Sequence, residues 1–213
     1  MIKRFIHILL ISNVIIIFIA CSIKKKNIYQ SIDTVDYYLE NKQQAIKHYK
    51  ALSKKFPQNA EHHRMLGICY REHRQLDSSI IEFNQSIQLA PNYGNAYAGR
   101  ASLYLKRKHY TEAKKDCDLA IQFNSSALGQ VYSILAAIAL ESNDYKSSLN
   151  YLKNANHYSD VVYCSQNNWI KAQNYLNLGD TSLAMKYLNR HLETAPKDST
   201  AKKLVQKLAE TKH

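Results

Sequence analysis

Metal or nucleophilic chemistry in this chain would have to come from its nine histidines and four cysteines. His62 and His63 are adjacent, so on a helix they point about 100° apart and cannot chelate one ion together. His48, His73, His109 and His191 are scattered with no ligand spacing. No HExxH, CxxC, GxSxG or Walker A sequence occurs, and five glycines in all leave little material for a phosphate-cradling loop. Cys69, Cys117 and Cys164 have no spacing that defines a zinc site or a disulfide framework. Cys69 and Cys117 read as small core residues. An enzyme is not expected, nor a metal or cofactor. The remaining chemistry is noncovalent: cations and aromatics on a surface.

The elements that carry that surface are legible from a period. Ala45, Ser79, Ala113, Ser148 and Ala184 recur at intervals of 34, 34, 35 and 36 residues. Four residues after each stand Tyr49, Phe83, Cys117, Leu152 and Leu188, and twelve after stand Pro57, Pro91, Ser125, Asp160 and Pro196. Twelve before come Gly67, Ala101, Ala136 and Ala172; nine before come Tyr70, Tyr104, Ala139 and Tyr175. Small residues at matching points let two helices approach closely, and the larger residue one turn on fills the same face. At three of these five places a proline closes the second helix, because it cannot continue one. A period of this length marks helical hairpins that bury their apolar faces by stacking. Of the sixteen tyrosines, Tyr70, Tyr97, Tyr104, Tyr110, Tyr132, Tyr145 and Tyr175 fall at recurring places and read as packing.

At these residues the chain resembles the tetratricopeptide repeat (TPR) family. Its clearest copy runs Leu66-Gly67-x-x-Tyr70, then Ser79, Phe83 and Pro91. The expected fold is all-α: a solenoid of about five hairpins and a C-terminal capping helix. The divisions are a degenerate first repeat over 28–58, four hairpins at about 60–93, 94–128, 129–164 and 165–198, and a cap over 199–213 with Ser199 as its N-cap. Asp33 and Asp36 stand where later copies carry the small residue and the tyrosine. Lys114 replaces an apolar residue, and His191 a small one. Arg100 and Lys171 occupy the slot of Leu66 and Leu135: either their stems pack while the charges reach water, or the two cations face a ligand.

The resemblance implies that the first helices of successive repeats line a concave groove for a protein or peptide partner. Residues at i, i+4 and i+7 share a face. Aligning the copies gives Arg64, Ile68 and Arg71; Ala98, Ser102 and Leu105; Ser133, Ala137 and Leu140; and Trp169, Gln173 and Leu176. Such a groove is cationic at one end, small and apolar in the middle, and closed by the only tryptophan. It suits a peptide with acidic residues at one end and an apolar anchor at the other. Ile68 and Gly99 stand where the carboxylate clamp of chaperone-binding members needs polar groups, which disfavours that role.

Residues 1–20 are of another kind. Lys3 and Arg4 precede an apolar run to Ala20, which fits an export signal better than a membrane span of about 20 residues. Its end, Phe18-Ile19-Ala20-Cys21, resembles the lipobox of bacterial lipoproteins. That likeness implies cleavage before Cys21, lipidation of its thiol, and a basic tether over 21–27 with Lys24-Lys25-Lys26 at the headgroups. The alternative is an uncleaved anchor. Ser22 after the cysteine, where sorting to the inner membrane favours aspartate, points to an outer membrane and a periplasm-facing protein.

The formal charge is +12, and losing residues 1–20 removes two cations and no acid, leaving +10. Helical repeats with basic charge raise RNA, but export removes the protein from it and the small-residue pattern is the TPR one. No nucleic-acid partner is expected. Lys106, Arg107 and Lys108 form a basic turn, which makes an anionic envelope polymer or lipid headgroup a second possible partner.

Overall fold

Each hairpin turn solves the same problem: a helix must stop, reverse, and satisfy its last carbonyls within three residues. In the computed structural model, which describes residues 42–158 and 164–210, four turns solve it alike. Arg74, Lys108 and Asn143 adopt φ of 60° and Gly179 φ of 79°. The next amide in each turn closes onto a carbonyl five residues back, at 2.9 Å: Gln75 to Tyr70, His109 to Tyr104, Asp144 to Ala139 and Asp180 to Tyr175. This is the Schellman closure. Only the fourth turn uses glycine, so the other three carry the cost of a left-handed side-chain-bearing residue. Arg74→Gly is expected to raise stability by about 0.5–1 kcal/mol, read as a higher melting temperature. An unchanged or lower one would show that the turn is unstrained.

Among the described residues these turns join ten helices, with no strand. They are α1 (Lys42–Lys55), α2 (Ala60–Glu72), α3 (Leu76–Leu89), α4 (Gly94–Lys106), α5 (Tyr110–Gln122), α6 (Leu128–Glu141), α7 (Tyr145–Tyr158), α8 (Cys164–Asn177), α9 (Thr181–Thr194) and α10 (Ser199–Glu210). The chain divides into two compact units, residues 1–48 and 49–213. The first contributes only the opening of α1 to the described residues, with Ala45 buried. The expected signal, Cys21, the basic tether, Asp33 and Asp36 lie outside the described residues, as does Asp160. No described helix is long and apolar enough to cross a membrane.

In the second unit the hairpins are α2–α3, α4–α5, α6–α7 and α8–α9, with α10 against α9. Consecutive hairpins meet through α3–α4, α5–α6 and α7–α8. The first helices also touch in succession (α2–α4, α4–α6, α6–α8), while among the described residues no pair of second helices does so comparably. One face of the stack is therefore made of first helices only, as the family resemblance implies.

The small residues sit at the closest approaches. Ser79, Ala113, Ser148 and Ala184 are wholly buried. The two serines also donate to the first helix twelve residues back, Ser79 Oγ to the Gly67 carbonyl at 2.6 Å and Ser148 Oγ to the Ala136 carbonyl at 2.8 Å. Phe83, also wholly buried, fills the wedge between hairpins. A Cβ on Gly67 would lie 3.3 Å from its ring, and one on Gly99 would overlap it. Where Cys117 replaces this aromatic, Ile134 stands at the position of Gly99, in the same core cluster. Leu152 is matched likewise by Ile170. Volume lost on one side of the wedge is regained on the other.

Helix ends follow two rules. Before Pro91 and Pro196, Ala90 (φ −140°, ψ 85°) and Ala195 (φ −126°, ψ 61°) leave the helical region. Ser125 stands in the place of proline, and α5 instead closes through Asn124 at φ 50°, with the Ser125 amide on the Ala120 carbonyl at 2.9 Å. The expected N-cap Ser199 is corrected: Asp198 caps α10, its Oδ1 accepting from the Thr200 and Ala201 amides at 2.9 and 3.0 Å. The Ala201 amide foremost, then the His191 ring and the Thr200 amide, hold the Asp198 carboxyl below its usual range. Lys114 lies exposed and pairs with Asp118 one turn on, at 2.8 Å.

Candidate groove on the first-helix face

The first-helix face starts with arginines that are already engaged. Arg64 grips the Glu61 carboxylate through Nε and Nη2, both at 2.7 Å, and lies 5.9 Å from the centre of the Tyr93 ring. The Tyr93 hydroxyl donates to the same carboxylate. Burial alone would raise the Glu61 carboxyl, but hydrogen bonds from Arg64 and Tyr93 and the charge of Arg64 outweigh it and hold the group low. Arg71 meets Glu72 at 3.1 Å and donates to Ser102 Oγ at 3.2 Å, tying α2 to α4. Ser102 in turn donates to the Gly99 carbonyl at 2.7 Å. The cationic end expected from sequence is thus an ion-paired end: each arginine has a glutamate within its own helix.

The middle is small and apolar. Ala98 and Ser133 are corrected from open positions to buried ones, 1% and 4% exposed, and Ser133 Oγ is spent on the Gly129 carbonyl. Ile68, Leu105, Ala137 and Leu140 remain half-buried and so keep surface for a partner.

Trp169 stands at the far end with Gln173 and Leu176. Its indole packs with Leu176 on the cluster of Ala172, Leu188, Ala201 and Leu208, and lies 5.5 Å from the His191 ring. It also borders two hollows. One, of about 320 Å³, is lined by Leu140, Glu141, Asn143, Trp169, Gln173 and Asn177. The other, of about 330 Å³, is lined by Ser165, Gln166, Trp169, His191 and Asp198. Glu141, Asn143 and Asn177 escape sequence reasoning because they lie past the i, i+4, i+7 stripe, at helix ends where polar residues read as solvated turn.

Ser165 Oγ lies 3.0 Å from His191 Nδ1, and His191 Nε2 is 2.9 Å from Asp198 Oδ2. The constellation has a structural counterpart elsewhere in the stack. His191 Nδ1 also lies 3.0 Å from the Ser165 carbonyl, just as Ser86 Oγ reaches the Ala60 carbonyl at 2.8 Å across the same 26-residue separation. His191 therefore makes a repeat-register stitch between the two helices of a hairpin. No group of three histidine, cysteine or acidic residues among the described residues could hold a metal ion. Burial raises the Cys69 thiol to about 11 and pushes Cys117 up further, so neither is a ready nucleophile.

Arg100 and Lys171 turn toward second helices. Arg100 holds the buried Asp116 on α5 through two hydrogen bonds of 2.7 and 2.8 Å and donates to Asn84 on α3 at 2.7 Å. Lys171 Nζ lies 5.3 Å from the centre of the Tyr187 ring on α9. In the basic turn, Lys106 and Lys108 are exposed while Arg107 pairs with Asp77.

Stacked hairpins with one face of first helices define a TPR-type solenoid. Tetratricopeptide repeat patterns match residues 34–94, and again residues 94–126 and 165–198; the chain belongs to the tetratricopeptide repeat family. No curated protein matches the sequence. Among solved structures it is similar to TTC0263, a TPR protein of Thermus thermophilus, at 16% identity and a TM-score of 0.62 over 81% of this chain and 93% of that one. It is similar also to PilF of Pseudomonas aeruginosa, at 15% identity and a TM-score of 0.60 over 72% and 68%. YrrB, described as a TPR protein with an unusual peptide-binding site, matches at 16% identity and 0.58 over 79% and 85%.

Proposed function

We propose that this protein is a non-catalytic scaffold of the bacterial cell envelope, tethered to the membrane through a lipid on Cys21, that binds a protein or peptide partner on its first-helix face. The single observation that carries the binding site is that face itself. Only first helices build it, and Ile68, Leu105, Ala137 and Leu140 leave apolar surface on it with no covering element among the described residues. Lipid chains contribute about 0.8 kcal/mol per buried methylene, so two or three chains hold such a protein at a bilayer. A tethered face raises the effective concentration of a partner there. Ser22 after the lipobox cysteine supports a place at the outer membrane facing the periplasm, where a tethered binding face suits the assembly of an envelope complex such as a pilus.

The test is partner recovery from the producing cell by the full chain and by Ala137→Gln, with helix content checked by circular dichroism. The expected result is a discrete protein partner whose recovery falls at least tenfold in the variant. Equal recovery by both would refute the site. An anionic envelope polymer on the basic turn is the second reading, favoured by the exposure of Lys106 and Lys108. It predicts binding that collapses with salt and with neutralisation of those two lysines.

A further inference from the structure

The hollow between the end of α6 and α8 has a chemistry unlike the rest of the chain. Its lining is one carboxylate, three side-chain amides, one indole and one leucine: Glu141, Asn143, Gln173, Asn177, Trp169 and Leu140. No lysine or arginine lines it, in a chain with 29 basic and 17 acidic residues. The Glu141 carboxylate receives one neutral donor, the Tyr110 hydroxyl at 3.0 Å, and among the described residues no cation pairs with it. Asn143 Oδ1 accepts from the Tyr145 hydroxyl at 2.9 Å. Asn177 donates to the Gln173 carbonyl at 2.9 Å, which leaves its own Oδ1 open, and the Gln173 amide has no partner among the described residues. The surplus is therefore of acceptors and negative charge.

That composition decides between occupants. An apolar side chain would strip water from a carboxylate and three amides without replacing their hydrogen bonds. An acidic one would meet Glu141. A cation gains the carboxylate and the open amide oxygens together. The volume, about 320 Å³, suits a long side chain, since a water takes about 30 Å³ of liquid.

We propose that this hollow holds a lysine or arginine side chain of a peptide partner, with Glu141 as its counter-charge, the side-chain amides as acceptors and Trp169 in its wall. This rests on the peptide-binding reading of the face and deepens it. It reverses the specificity expected from sequence, in which the tryptophan end takes an apolar anchor.

The experiment is selection of a random displayed dodecapeptide library on the full chain. A synthetic winner is then titrated by the fluorescence of Trp169, the only tryptophan. The selected peptides are expected to share a basic residue at one position. Changing it to glutamine is expected to weaken binding about tenfold, as is Glu141→Gln, and the two changes together are expected to cost little more than either. Gln173→Glu, which adds a carboxylate, is expected to tighten binding severalfold and gives a reading independent of how Glu141→Gln folds. Peptides that depend on Ala137 but carry no shared basic residue, or are indifferent to both variants, would overturn this inference and leave the peptide-binding reading standing. Peptides indifferent to Ala137, or none at all, would overturn both.

Discussion

Arg100→Ala is expected to destabilise the stacked unit by about 3–5 kcal/mol, more than the loss of any surface ion pair in the chain. Asp116 is 2% exposed, and Arg100 satisfies both its oxygens. Removing the arginine leaves a buried carboxylate without its partner, whereas the exposed pair Lys114–Asp118 would cost about 0–1 kcal/mol to break. The guanidinium also lies within 5.6 and 5.7 Å of the centres of the Tyr97 and Tyr104 rings, so its stem and charge both pack. Asp116→Asn in the same chain removes the stranded charge and is expected to return part of the loss. Denaturant melts of the two single variants and the double variant measure this directly. A loss under about 1 kcal/mol for Arg100→Ala would show that Asp116 rehydrates and that the pair is not structural.

The second large effect is at the wedge between α3 and α4. Phe83→Ala is expected to cost about 3–5 kcal/mol, because the ring fills the space that two glycines leave open. Phe83→Cys alone is expected to cost a comparable amount. Combined with Gly99→Ile it copies the Cys117–Ile134 arrangement of the next wedge, and more than half of the loss is expected to return. Gly99→Ile by itself is expected to destabilise strongly, since its side chain meets the Phe83 ring. Additive losses in the double variant would show that the wedges are not interchangeable and that volume exchange is not the rule that relates the repeats.

The solenoid was legible because its determinants are local and periodic. Ser79, Ala113 and Ser148, one repeat apart in series, each had to be small for the same reason, and prolines or polar turns marked the ends between them. What escaped were pairings between helices. Arg100 and Asp116 are 16 residues apart on different helices, and nothing in either neighbourhood says that one is buried and needs the other. The pairing of Arg64 with Glu61 was within reach, since residues three apart share a face. Reading the stripe without its flanks made it look cationic. Ala98 and Ser133 failed as groove positions for a related reason: a stripe fixes the direction of a side chain but not how closely the next hairpin covers it. The cap of α10 differed by one residue, because the aspartate at 198 takes the Thr200 and Ala201 amides, one register earlier than a serine at 199 would.

The measurement that tests the central claim most directly is photo-crosslinking in the producing cell, with a reactive side chain at Ala137 on the first-helix face and, separately, at Lys108 in the basic turn. Adducts are identified by mass spectrometry, with Cys21→Ser as the untethered control. The account predicts a discrete protein adduct from Ala137 that is lost in the control. Glycan or lipid adducts from Lys108 with none from Ala137 would contradict it.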